Sequence, residues 1–312
     1  MDTSDPEIVF NHSGECNHCT FFDLNVKNFI KNDKEGIKEF NEIVNKIKIE
    51  GRNKEYDCII GLSGGIDSSY LALKVKELDL RPLVVHVDAG WNSELAVSNI
   101  QKVVDHCGYD LFTEVIDWEV MKKLHIAYFK SGICNQDVPQ DHVFFSSLYH
   151  FAIKNKIKYI LSGGNFATES IFPNSWQGSA MDARNLKSIY KHHTGLKLKN
   201  YRTINFFQYY ILFPFLYGMR TVRPLNYMDY NKSKALAELK RIGFKPYPGK
   251  HGESIFTKFF QDYYMPKKFG YDIRKPHLSS LILSKQISRE NALKEITEIK
   301  YDSREINDLI DY

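Results

Sequence analysis

The 312-residue sequence contains no apolar run long enough to cross a bilayer. Its most apolar stretch, Phe206 to Met219, is interrupted by Gln208 and Pro214 and falls well short of the ~20 residues that a spanning helix needs. No membrane span is therefore expected, and the stretch reads as a buried aromatic helix or loop, ahead of a partner-docking surface and, last, membrane contact. Neither sign of charge dominates: 42 Lys+Arg against 38 Asp+Glu leave +4, spread along the chain, so there is no basic stripe for a nucleic acid. Cysteine is sparse. Five thiols, an odd number unevenly spaced, argue against a disulfide scaffold and for a reducing, cytoplasmic setting. Met1 to Phe10 is acidic and lacks the apolar core of a secretory signal. What remains, 43% hydrophobic and 26% charged, is ordinary for a chain that buries a sizeable core.

The periods of the apolar residues divide the chain. Residues 25 to 50 place Phe29, Ile30, Ile37, Phe40, Ile43, Val44 and Ile47 at helical spacing, which predicts an amphipathic helix. The period then changes. Short apolar runs at 56–62, 82–88, 111–116 and 158–161 read as buried strands, and helical patterns at 66–78, 93–106, 118–130 and 141–155 fall between them. Strands alternating with helices of this length predict an α/β fold, a doubly wound parallel sheet. A short Cys-containing segment precedes it and a helical C-terminal region follows from 231, while 170–230 reads as irregular and aromatic. The expected divisions are 1–50, 51–230 and 231–312.

One turn carries chemistry. Ser63-Gly64-Gly65-Ile66-Asp67-Ser68-Ser69 closes the first strand and opens a helix, the place where open α/β sheets bind ligands. Two glycines let backbone N–H groups approach an anion, three hydroxyls add donors, and the helix N-terminus adds about half a positive charge. The alternative is a tight turn with no ligand. The sequence is neither Gly-x4-Gly-Lys-Ser/Thr nor Gly-x-Gly-x-x-Gly.

These residues resemble the PP-loop of the ATP pyrophosphatases, a group that includes asparagine, GMP and argininosuccinate synthetases. The resemblance implies that Ser63, Gly64, Gly65, Asp67, Ser68 and Ser69 hold the pyrophosphate of Mg2+-ATP, which is split between its α and β phosphates. It also implies adenine contacts at His86-Val87-Asp88 and nucleotide and metal contacts at Ser162-Gly163-Gly164. Arg223-Pro224-Leu225 is similar to a further element of that group. Four more segments narrow the likeness: Asp2 to Ile8, Cys16-Asn17-His18-Cys19, Asn135 to His142, and His251-Gly252-Glu253-Ser254 to Phe260. They resemble the N-acetyl sugar amidotransferases of bacterial surface-polysaccharide and nonulosonate (pseudaminic and legionaminic acid) pathways, and the likeness covers nearly the whole chain. It implies adenylation of an acetamido oxygen, replacement by ammonia to give an acetamidino sugar, and partner subunits, a glutaminase and a cyclase-like protein, that deliver the ammonia. Relatives carry a further cysteine pair before the Asp-Thr-x-Asp-Pro segment and run on beyond the position of Tyr312, so an upstream start or a trimmed chain is expected.

The other candidates have two readings each. Cys16 and Cys19 have zinc-ligand spacing but make half of a four-ligand site, so they are either part of a zinc ribbon or two thiols. Cys58, Cys107 and Cys134 read as core residues. Asn135, Gln136, Asp137, Gln140, Asp141 and His142 are either substrate contacts or a loop capped by Asp141 at the start of a helix, and His142 alone reads as structural. The charged stretch with His251, Glu253, Lys258 and Arg274 is either a solvated face or, together with Asp67, the catalytic charge that stabilises the phosphorus centre and the departing pyrophosphate. No Gly-x-Cys-x-Gly nucleophile turn is present and no cysteine follows Met1, so the chain is not expected to release ammonia from glutamine by itself. Two rival functions share the loop or the sheet: tRNA thiolation, and a non-catalytic ATP sensor of the universal-stress type.

Overall fold

The computed structural model of the chain describes residues 1–176, 180–247 and 252–297. The first half forms α1 (Asn17–Phe21), α2 (Lys34–Gly51), β1 (Cys58–Gly61), α3 (Ile66–Glu77), β2 (Pro82–Asp88), α4 (Glu94–Cys107), β3 (Leu111–Val115), α5 (Trp118–Ser131) and α6 (Val138–Lys154). There follow β4 (Tyr159–Leu161), α7 (Phe166–Glu169), α8 (Ala183–Thr194), β5 (Arg220–Val222), α9 (Lys232–Arg241), α10 (Ile255–Phe259), α11 (Met265–Phe269), α12 (Arg274–Leu283) and α13 (Arg289–Thr297). The five strands among the described residues are all parallel, in the order β3-β2-β1-β4-β5. The chain winds outward from β1 to β3, then returns to lay β4 on the other side of β1. This is a doubly wound α/β fold with its switch point between β1 and β4.

The central strands are continuous apolar runs because both faces are covered. Successive residues of β1 point to opposite sides. Cys58 and Ile60 join a core with Phe40, Val44, Leu71, Val75, Ile100 and Val103, whereas Ile59 joins Val85, Val87, Met121 and Val143 on the other face. Leu239 of α9, and Phe244 beyond it, share the first core with residues of α2, so the expected divisions at 50 and 231 do not separate hydrophobic cores. Cys58 and Cys107 are buried and Cys134 is partly so.

Four expectations are corrected. The helix foreseen for 25–50 begins at Lys34, because Lys31 N–H pairs with Asn226 O (2.7 Å) and Asp33 caps Gly36 N (2.8 Å). The helix foreseen from 141 begins at Val138, with a proline in its first turn, so Asp141 lies inside the helix and Asp137 occupies the cap position. The region 170–230 holds α8 and the edge strand β5. Finally, Phe206 to Met219 is not buried as expected. It winds as a π-helix over Gln208–Leu216 in which Phe213 is buried, stacked on Tyr149 at 4.9 Å, while Phe206, Phe207, Tyr210, Leu216 and the 80% exposed Phe215 face outward. A short helix that is apolar all round meets the sheet on one side only. Among the described residues no helix is long and apolar enough to cross a membrane.

The start of β1 is tied down by buried Asp57. Its carboxylate accepts from Arg81 Nη2 (2.6 Å) and Arg81 N (3.0 Å), and the same guanidinium donates to Gly51 O and Lys54 O (both 2.9 Å). The end of α2, β1 and β2 meet at this pair. Asp57→Ala is expected to lower stability by about 2 kcal/mol, within the usual range for charge-assisted bonds but reduced by the exposure of Arg81. Urea unfolding midpoints check this, and an unchanged midpoint would contradict it.

Candidate functional site

The turn after β1 and the turn after β4 lie against each other at the carboxyl edge of the sheet. Gly65 is the N-cap of α3 and offers no side chain to cap it, which leaves the first-turn N–H groups facing outward, as an anion site requires. Gly64 adopts φ +84°, and a Cβ there would lie 2.8 Å from Ala96 O. A Cβ on Gly65 would lie 3.2 Å from Glu253 Oε1, and one on Gly163 would lie 3.0 Å from both Asp67 C and Ser68 N. Glycine is therefore what allows Ser162-Gly163-Gly164, the 63–69 turn and Glu253 to converge. Ser63 Oγ and Ser68 Oγ are 3.1 Å apart and Ser63 Oγ accepts from Gly65 N (3.2 Å), so both hydroxyls belong to the cradle. Ser69 does not: it is fully buried behind the turn, and its hydroxyl has no hydrogen-bond partner among the described residues.

Asp67 stands on the first turn of α3, where Tyr230 donates its hydroxyl to Oδ1. Burial first and the Asp67 carboxylate second raise the Tyr230 phenol far above its ordinary range, so it stays a donor. Tyr247 likewise donates to Gly64 O and accepts from Asn99 Nδ2 (3.3 Å). These tyrosines carry no motif, and their distance in sequence from the turn hides them from sequence reading.

At the end of β2, His86 uses both ring nitrogens internally. Nδ1–H donates to Leu62 O (2.9 Å) and Nε2 accepts from Asn92 Nδ2 (3.0 Å), while burial lowers its pKa and keeps it neutral. The imidazole thus holds β2 to the residue entering the cradle. Val87 is buried, and Asp88 Oδ1 accepts from Gly90 N (2.8 Å) and Asn92 Nδ2 (2.9 Å). Asn92 was missed because it lies outside any recognised motif.

The cluster at 135–142 is a clamp more than an open loop. Asn135 Oδ1 accepts from Asp137 N (3.0 Å), and Gln136 is fully buried. Asp137 accepts from Thr257 Oγ1 (2.9 Å) and Gln261 Nε2 (3.2 Å), and Gln140 accepts from Ser254 Oγ (3.2 Å). His142 bonds Ala180 O through Nδ1 (2.5 Å) and Ile204 N through Nε2 (3.1 Å), so the substrate role considered for it gives way to a structural one. Asp137 and Gln140 hold the C-terminal segment. That segment also pairs with the β2–α4 loop through Ser93 N to Glu253 O (2.9 Å) and Ile255 N to Trp91 O (2.8 Å), which places Glu253 beside Gly65.

Lys258 is half-buried in the last turn of α10. Arg274 opens α12 and pairs with Asp272 through Nε (3.0 Å) and Nη2 (2.7 Å), a bond that raises its already high pKa. His251 lies outside the described residues. Cys16 and Cys19 bring their Sγ atoms to 3.5 Å, but His18 is engaged with Asp5 at 2.6 Å. Among the described residues no group of three or more His, Cys, Asp or Glu could hold a metal, and none of them completes a zinc site on this pair.

Asp141 is a partly buried carboxyl next to the clamp. Burial, then the charges of Asp137 and Glu169, raise its pKa to about 8 from 3.8. A carboxyl raised in the folded state ionises first in the unfolded chain, so it erodes stability as pH rises between those two values. Asp141→Asn is therefore expected to gain stability over the wild type from about pH 5 to about pH 8. Urea unfolding at the two pH values tests this, and an identical difference at both would contradict it.

Residues 253–312 match the family model described as LPS biosynthesis protein WbpG-like, C-terminal domain. No curated protein matches the chain. Among solved structures, an NMN synthetase from Francisella tularensis is 13% identical, with 82% of this chain and 95% of that one covered at a TM-score of 0.41. An NH3-dependent NAD synthetase from Campylobacter jejuni is 14% identical, with 89% and 93% covered at a TM-score of 0.38. The chain thus joins a doubly wound α/β sheet, whose first strand ends in a Ser-Gly-Gly-Ile-Asp-Ser turn, to a C-terminal region similar to the WbpG-like domain of lipopolysaccharide biosynthesis proteins.

Proposed function

We propose that the chain is the synthetase subunit of an ATP-dependent amidotransferase that converts the acetamido group of an N-acetyl sugar into an acetamidino group. The observation that carries this reading is the convergence of the two glycine turns and Glu253 at one edge of the sheet. Glycines at these positions keep the turns free of side chains, so that a phosphate can meet the backbone N–H groups at the start of α3. Mg2+ is the metal expected with a nucleotide. It would be held by Asp67 and Glu253, the carboxylates beside the cradle, together with phosphate oxygens, a ligand set typical of that ion, and it supplies charge neutralisation.

An amide carbon is a poor electrophile, and its oxygen is a poor leaving group. In the proposed reaction the acetamido oxygen attacks the α phosphorus, the bond to the β phosphate breaks, and pyrophosphate leaves as the amide N–H proton is lost. Ammonia then adds to the imidate carbon and AMP departs, so C=O becomes C=NH. The residues of the cradle hold pyrophosphate, and Tyr230 and Tyr247 fix the turn that carries it. The role of Lys258, inside the WbpG-like region, is neutralisation of charge on the departing group. Arg274 begins from an ion pair with Asp272, so its part is to anchor this region. Ammonia comes from docked glutaminase and cyclase-like partners, because the sequence has no glutaminase nucleophile turn of its own.

The test is mass spectrometry of N-acetyl sugars, free and nucleotide-linked, incubated with the chain, Mg2+-ATP and ammonium. A loss of about one mass unit is expected with ammonium, and none with glutamine until a glutaminase is added. Asp67→Ala is expected to abolish the change while circular dichroism stays native. Glutamine-dependent conversion by the purified chain alone would overturn the proposal.

A further inference from the structure

The apolar segment at 206–217 stands out from the fold as a ridge. Its π-helix, Gln208–Leu216, rests on Tyr149 of α6, which meets Tyr209 edge-on at 5.6 Å and stacks on Phe213 at 4.9 Å. Phe213 and Met219 are buried in the core of that sheet face, so the ridge is fixed from beneath. Its outer side is apolar. Phe206 is 71% exposed, Leu216 72% and Phe215 80%, and Phe207, Tyr210 and Ile211 are exposed beside them. From Phe206 to Tyr217 no residue is charged. A contiguous apolar patch on a protein surface marks contact with a partner or a membrane.

The charge around the ridge is of one sign. Between Asp182 and Asp229 the sequence has eight Lys and Arg residues and no Asp or Glu, whereas the whole chain carries 42 of one kind and 38 of the other. Lys197, Lys199 and Arg202 precede the ridge, Arg220 follows it, and all four are exposed. Arg202 Cζ lies 5.7 Å from the Phe151 ring of α6 and pairs with Glu114. At the other end the Lys158 stem lies 3.9 Å from where a Cβ on Gly218 would stand, and its Nζ pairs with Glu50 at 3.0 Å. No ion pair among the described residues neutralises Lys197, Lys199 or Arg220.

Shape and charge together select the occupant. Side chains that protrude as a convex ridge need a matching groove in a folded partner, whereas a lipid headgroup layer yields to them. A second copy of the chain would set the same cations face to face. An anionic bilayer surface supplies both complements, an apolar depth for Phe, Leu and Ile and phosphates for Lys and Arg. The phenols of Tyr210 and Tyr217 suit the polar level between the two. We propose that the 206–217 ridge seats the protein on an anionic phospholipid surface, its aromatic side chains among the headgroups and upper acyl chains and its flanking cations on lipid phosphates. This reading does not depend on the proposed amidination, because it is defined by binding alone.

Sedimentation of the purified chain with vesicles tests it, using phosphatidylcholine alone and phosphatidylcholine mixed with phosphatidylglycerol. The mixed vesicles are expected to carry the chain down, and raised salt to weaken that binding. Phe215→Ser is expected to lower the affinity about tenfold or more, as withholding one Phe side chain from an apolar phase predicts. Lys197→Gln and Lys199→Gln are each expected to lower it about fivefold. Lys38→Gln, on α2 at the opposite face of the sheet, is expected to leave it unchanged. Circular dichroism and cooperative urea unfolding establish that the variants fold, and Leu216→Ser is a second apolar variant. No binding to the mixed vesicles would overturn the proposal, as would equal binding to phosphatidylcholine alone or an equal loss in Lys38→Gln. So would binding that folded Phe215→Ser and Leu216→Ser leave unchanged. Self-association in sedimentation equilibrium that Phe215→Ser abolishes would overturn it too, by making the ridge an interface between copies.

Discussion

The close approach of Gly163 to the backbone of Asp67 and Ser68 is the contact on which the site depends. Two strand-to-helix turns on either side of the switch point can touch only if neither presents a side chain there. A Cβ at 3.0 Å from two backbone atoms has nothing flexible to push aside, so a substitution would move the start of α3 itself. The same constraint holds at Gly64, whose left-handed conformation points its carbonyl at Tyr247. The strand ends bring main-chain groups together, and small residues keep them accessible to an anion.

Around that contact the protein uses long-range side-chain ties to fix what the glycines leave loose. Tyr230 reaches Asp67 across 163 residues and Tyr247 reaches Gly64 across 183. Asp137 and Gln140, at the start of α6, hold Thr257, Gln261 and Ser254. The C-terminal segment is thus anchored to the sheet at three places, the third being its pairing with the β2–α4 loop. This explains how a region similar to a WbpG-like domain delivers a carboxylate, Glu253, to a loop that lies nearly 190 residues earlier in the chain.

The sheet was legible because buried parallel strands are unbroken apolar runs, and the Ser63–Ser69 turn was legible as a candidate site because it is local: strand, glycines, hydroxyls and helix start are contiguous. Features made by distant residues were not. Nothing local marks Tyr230 as the partner of Asp67, or Asn92 as the partner of His86. Residue type also misleads where geometry decides direction. Ser69 belongs to the motif but points into the core, and the hydrophobic residues of 206–217 read as interior although a π-helical winding leaves most of them outside. The polar cluster at 135–142 looked like a surface for substrate. Asp137 and Gln140 instead bind the protein's own C-terminal segment, and His142 binds Ala180 and Ile204, partners that no spacing rule within the cluster records.

The central claim is that this cradle holds a departing pyrophosphate rather than a transferring terminal phosphate, and it is tested most directly by phosphorus NMR of the nucleotide products. The chain incubated with Mg2+-ATP, ammonium and an N-acetyl sugar that it converts should yield AMP and pyrophosphate in equal amounts. Accumulation of ADP and orthophosphate in their place would contradict the account.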